Sequence, residues 1–320
     1  MDVPGSARAA AASVHSAPSA TEAFHKGMHD LRHSPGAFPN VSARWLLGAA
    51  GIALIGAVVC AWLTLCLLYW QGSWQLLYHP RAAIDRTPAS AGLAFEPVRF
   101  AVTETGVTQL AGWWLPSPDS RFTVLYLHGA DGNLGDSVDA LAALHHAGVA
   151  VLAFDYRGYG QSQPGRPGEK QLRHDAEWAL AWLTLIRHIP ARSILLYGTG
   201  LGANLAAELA ADHGELAGIV LDQPLQNALV PVFSDPRSGL VPAHWLVKDR
   251  YDLPVAARQL KIPSLWLLSR PDRNQEDLGS DVYQDAYRAA QTRKAAAWLK
   301  SPVTADPNFE ETLQRWMDDL

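Results

Sequence analysis

The chain has 320 residues, 48% of them hydrophobic and 18% charged, which is enough apolar material for one large α/β domain plus additional segments. Its formal net charge is −5, and Arg8, Lys26, Arg32 and Arg44 outnumber Asp2, Glu22 and Asp30 in the first 44 residues, so the remainder is acidic and has no basic block; nucleic acid is excluded as a partner. Both cysteines, Cys60 and Cys66, fall in one apolar run, which excludes a disulfide framework or a thiolate metal site; no metal or cofactor is expected.

Residues 1–44 are rich in Ala, Ser, Pro and Gly without an apolar period, the composition of a disordered tail. Residues 45–70 contain no charged side chain. About 20 apolar residues span a hydrocarbon core, so this run predicts a transmembrane helix, with Trp45 at one end and Tyr69, Trp70, Trp74 and Tyr78 at the other as interfacial anchors. It is too long and begins too deep in the chain for a cleaved signal segment. The expectation is a single-pass membrane protein, in the inner membrane if the source is bacterial. The basic excess before the helix puts the C-terminal domain outside the cytoplasm. Ala49, Ala53, Ala57 and Ala61 recur every fourth residue and offer a small-residue stripe for helix packing, as chance in an alanine-rich chain also would.

A second domain is expected over residues 76–320. Phe95–Thr103 and Gln109–Leu115 read as strands joined by a turn. Short apolar strands at Val124–Leu127, Val149–Phe154, Ile194–Tyr197, Ile219–Leu221 and Ser264–Leu268 then alternate with helical periods at Val138–His146, Glu169–Ile186 and Leu201–Ala211. A further strand is expected near Ala295–Leu299. Apolar strands alternating with helices predict a mostly parallel central sheet with helices on both faces. Residues 225–245, Pro-rich and aromatic, are expected to form a lid.

Three motifs follow successive predicted strands, where a doubly wound sheet keeps its site. They are Leu127-His128-Gly129-Ala130-Asp131-Gly132-Asn133, Asp155-Tyr156-Arg157-Gly158-Tyr159-Gly160, and Gly198-Thr199-Gly200-Leu201-Gly202. In order and spacing they resemble the α/β-hydrolase superfamily, most of all its membrane-anchored branch of lysophospholipases, monoacylglycerol lipases and protein depalmitoylases. That resemblance implies the α/β-hydrolase fold preceded by one transmembrane helix. It also implies an oxyanion hole from the N–H groups of Ala130 and Leu201, with His128, Gly129, Asp131 and Thr199 lining the pocket loops. Asp272 falls where the family keeps its triad acid. The family's nucleophile position, however, is Gly200, which has no hydroxyl, and Thr199 lies one residue before the apex. Triad order puts the histidine after the acid, yet the last histidine is His244, and the loop Lys300–Asp306 offers Thr304 and Asp306 instead. His128, His145, His146, His174, His188 and His213 read as surface or packing residues. The expected function is therefore a catalytically inactive binding or scaffolding module for an acyl-type ligand or a membrane protein partner. The alternatives are a serine-type esterase, lipase or thioesterase with relocated catalytic groups, and a structural protein assembling through the alanine stripe.

Overall fold

The computed structural model of the protein describes residues 42–269 and 284–320. Two compact units meet between Cys60 and Ala61. Helix α1, Ala43–Gly72, fills the described part of the first unit and runs on into the second. With the short turn after it, the segment Ala43–Leu76 is long and apolar enough to cross a membrane, and none of its most apolar stretch is buried.

The second unit is built on one eight-stranded sheet. Its strands are β1 (Glu96–Val102), β2 (Thr108–Leu115), β3 (Thr123–Leu127), β4 (Ala150–Asp155), β5 (Ile194–Thr199), β6 (Gly218–Asp222), β7 (Ser264–Ser269) and β8 (Lys294–Leu299), in the order β8-β7-β6-β5-β3-β4-β2-β1. β1 pairs antiparallel with β2, and β2 with β4; the other neighbours are parallel. The sequence accounts for this split. Only a tight turn separates β1 from β2, whereas helices α2 (Val138–His146), α3 (Glu169–Ala181), α4 (Leu201–Asp212), α5 (Leu253–Gln259) and α6 (Gln284–Ala289) lie between later strands, and α7 (Phe309–Asp318) closes the chain. Strands β3, β4 and β6 are buried along their whole length, which is why Val124–Leu127, Ala150–Phe154 and Ile219–Leu221 are apolar at consecutive rather than alternate positions. Alternate residues feed two cores. Leu125, Phe154, Leu196 and Trp266 pack toward α3, α4 and α5, whereas Val124, Tyr197, Leu267, Phe309 and Trp316 belong to the core under α2 and α7.

One helix differs from expectation. The single helix read over Glu169–Ile186 is α-helical to Ala181 and then turns π over Trp182–Ile186. The Thr184 hydroxyl donates to the carbonyls of Leu180 and Ala181, back-bonding of the kind that bends a helix where it ends. His174 lies inside α3 with its ring tilted against Trp178, 4.2 Å between centroids. In residues 225–245, the segment expected to form a lid and hereafter called the lid, three one-turn helices, Val230–Phe233, Pro236–Gly239 and Ala243–Leu246, follow one another. Pro236 opens the second of them, Pro231 is the second residue of the first, and Pro242 caps the third, all positions where a missing N–H costs nothing.

Candidate functional site

The C-terminal ends of β3 and β5 lie side by side, with Leu127 opposite Gly198. This register brings the His128 loop against the Thr199-Gly200-Leu201 turn. The contact requires glycine on both sides of the apex. A Cβ on Gly202 would stand 2.2 Å from the carbonyl oxygen of Leu127 and 2.4 Å from that of His128, and one on Gly198 would stand 2.2 Å from the carbonyl of Gly202. α4 can therefore leave β5 steeply and still touch β3.

Gly200 itself is in a different position. It caps α4 with φ 54° and ψ −121°, a left-handed conformation, and a Cβ there would meet nothing within 4 Å. Its N–H donates to the Asp222 carbonyl at 2.9 Å, and its carbonyl accepts from Ala203 N–H at 3.1 Å. The apex is thus held in the strained shape of a nucleophile elbow with open space where a side chain would project. Thr199 ends β5 and Leu201, buried, opens α4.

The facing loop is held by tyrosines of the second motif. Tyr156 Oη donates to the His128 carbonyl at 3.2 Å, and Tyr159 Oη to the Ala130 carbonyl at 2.8 Å. The Ala130 carbonyl also accepts from His79 N–H at 3.0 Å, and His79–Pro80 pairs in parallel with Asp131–Gly132. The His79 imidazole Nδ1 lies 2.7 Å from Asp131 Oδ1. The linker from α1 is therefore a bonded part of this loop. The sequence offers no sign of this pairing, because a two-residue strand carries no periodicity that would reveal it.

His128 is buried between Tyr156 and Tyr159, 4.4 and 5.1 Å away ring to ring. Its Nδ1 lies 2.8 Å from the Gly129 carbonyl, and Nε2 has no hydrogen-bond partner among the described residues, standing 3.8 Å from Asp155 Oδ1. Burial pushes its pKa down to about 4, and pushes Asp155 up to about 7 against hydrogen bonds from the N–H groups of Leu134 and Gln161. The ring is neutral at pH 7, with Nδ1 as the donor. At the end of β6, burial raises Asp222 to about 6 although Tyr197 and Gln223 hydrogen-bond to it.

Two further histidines, His145 and His213, have local partners. His145 bonds the Pro116 carbonyl, and His213 lies between Glu177 and Glu215, both at 2.9 Å. None of these partners is a hydroxyl or thiol that an imidazole could activate. In the loop where a triad histidine was sought, the Asp306 carboxylate accepts from Lys300 N–H at 2.7 Å and Asn308 N–H at 2.8 Å, which closes the turn and holds its pKa low. Asp272 lies outside the described residues.

The family model described as serine aminopeptidase, S33, matches residues 118–294, more than half of the chain. The chain belongs to the α/β-hydrolase superfamily. Among the superfamily's solved structures, an esterase from Pyrococcus furiosus matches with a TM-score of 0.56 and 20% identity over 76% of this chain and 95% of that one, a likeness of fold. An uncharacterized protein of Mycobacterium tuberculosis is 34% identical over 179 residues, 55% of this chain and 61% of that protein. An uncharacterized membrane protein of Saccharomyces cerevisiae is 31% identical over 138 residues, 42% of this chain and 48% of that protein. The matched region thus spans about half to three-fifths of these curated relatives.

Proposed function

We propose that this α/β-hydrolase is a membrane-anchored, catalytically inert module that holds an acyl-type ligand or a membrane protein partner at its elbow. One observation carries the reading: Gly200 keeps the backbone of a nucleophile elbow but supplies no nucleophile. Acyl transfer through a serine needs an Oγ at that apex and an imidazole to take its proton. Loss of either one costs about 10⁶-fold in turnover in a serine protease, roughly 8 kcal/mol. The framework around the apex supports binding. The N–H groups of Ala130 and Leu201, the second at the head of α4, are the pair we assign to a ligand's carbonyl or carboxylate oxygen. They need no particular side chain, so they outlast the loss of the serine. The basic excess before α1 favours a domain outside the cytoplasm.

The test uses the full chain in detergent or nanodiscs. A fluorophosphonate probe is expected not to label it, p-nitrophenyl esters to turn over no faster than the residual rate that oxyanion donors and binding give, about 10⁶-fold below an intact triad, and a fluorescent fatty-acid probe to bind. Ester turnover abolished by Asp272→Ala would overturn the reading.

A further inference from the structure

α1 does more than tether the domain. On the part of it that belongs to the second unit, Trp62, Cys66 and Tyr69 recur at helical spacing and form one face, which Ser73 in the turn after the helix continues. Cys66, Tyr69 and Ser73 are buried. Two residues of this face donate hydrogen bonds to lid carbonyls: Tyr69 Oη to Val232 at 2.8 Å, and Trp62 Nε1 to Leu240 at 3.0 Å.

The second of these bonds fixes the depth of the lid. A hydrocarbon core of about 30 Å takes about 20 helical residues at 1.5 Å each. Within the charge-free run Trp45–Trp70, every such window, from Trp45–Thr64 to Gly51–Trp70, contains Trp62. Its domain-side end then lies about 3 to 12 Å beyond Trp62. The Leu240 carbonyl reaches the indole at that level. An indole N–H in hydrocarbon needs an acceptor from protein, and the lid supplies one.

The composition of the lid fits that medium. Leu240 is 64% and Trp245 87% exposed, and Val230 is exposed as well. From Leu225 to Val247 the only charged side chains besides His244 are Asp235 and Arg237. These two neutralise each other through paired hydrogen bonds, Nε–Oδ1 at 2.8 Å and Nη2–Oδ2 at 2.9 Å. The His244 ring stacks on Phe233 at 4.3 Å.

We infer that the outer edge of the lid, around Leu240 and Trp245, is a second membrane contact seated in the bilayer beside α1. The inference rests on α1 being membrane-spanning, and its occupant is the lipid bilayer itself. The test places single cysteines at Leu63→Cys, Leu240→Cys, Trp245→Cys and Glu310→Cys in full-length protein carrying Cys60→Ala and Cys66→Ala. Each is labelled with an environment-sensitive fluorophore and reconstituted in phosphatidylcholine vesicles with or without nitroxide-labelled lipid. Emission at 240 and 245 is expected to be quenched as strongly as at 63, and severalfold more than at 310. If 63 is quenched while 240 and 245 behave like 310, the lid lies outside the bilayer and the inference is overturned with the anchor intact. The same holds if emission at 240 and 245 is blue-shifted without quenching, because a protein then covers the lid. If 63 is not quenched, the anchor reading falls and the inference with it.

Discussion

Restoring the missing hydroxyl by Gly200→Ser separates backbone strain from chemistry. A Cβ at this position meets nothing within 4 Å, so the cost is set by the left-handed φ of 54° and not by collision. Holding a non-glycine residue in such a region costs about 1–3 kcal/mol, and the smaller entropy of the unfolded chain returns about 0.4–1 kcal/mol. The net loss is about 1–2 kcal/mol, equivalent to a Tm drop of roughly 2–8 °C for a domain of this size. A serine without a histidine gains little chemically: oxyanion and binding effects alone give about 10³–10⁴ over the uncatalysed rate, some 10⁶-fold short of a full triad. Thermal scans and p-nitrophenyl ester assays on the purified chain measure the two effects separately. An unchanged Tm would refute the strain argument. Turnover near that of an intact hydrolase would show that a general base stands within reach of the apex and would refute the argument from the missing histidine.

Three further outcomes are expected. Gly202→Ala puts a Cβ 2.2 Å from the Leu127 carbonyl and must push α4 off β3, so its thermal scan should show a larger loss than Gly200→Ala, with an overpacking cost of about 1–3 kcal/mol or more. Asn204, fully buried on α4, ties the root of the lid through Leu225 N–H, the Leu225 carbonyl and the Tyr251 carbonyl. Asn204→Ala should therefore cost about 1–3 kcal/mol in urea unfolding, and limited proteolysis should cut within the lid. Burial and the neighbouring Glu169 raise the Glu208 pKa well above 4.5. A raised carboxyl favours the protonated fold, so its contribution is whole below the unfolded value near 4.5 and drains away as pH rises toward the folded value. Tm of the native chain should fall between about pH 5 and pH 8 more steeply than that of Glu208→Gln; parallel slopes would exclude this pair as the cause.

Much of this architecture was legible in the sequence because it depends on local pattern. Ile194–Tyr197 and Ile219–Leu221 are continuous apolar runs bounded by turn residues, and both are strands at the centre of the sheet. Gly198, Gly200 and Gly202 announced a tight turn with Gly200 at its apex, although the sequence did not reveal that Gly198 and Gly202 serve close approach of backbone to backbone. What stayed hidden depends on distant parts of the chain. The Trp62–Leu240 and Tyr69–Val232 bonds join residues 178 and 163 positions apart. The orientation of the loop after β3 depends on Tyr156, Tyr159 and His79, each a side chain or N–H whose target is a backbone carbonyl. A carbonyl has no residue type, so no motif could point to these partners.

The linker's bonds to the loop after β3 bear on how a soluble fragment could be made. Cutting the chain after Pro80 would remove the strand pairing of His79–Pro80, one of the two donors to the Ala130 carbonyl, and the Tyr78 hydroxyl that donates to Asp249 at 2.7 Å. Cutting between Gly72 and Ser73 would spare those bonds but leave the underside of the lid, with the Val232 and Leu240 carbonyls, facing water without Tyr69 and Trp62. Solubility and a native elbow environment therefore pull the truncation point in opposite directions. The intact chain in a lipid or detergent belt is the form in which ligand affinities should be measured.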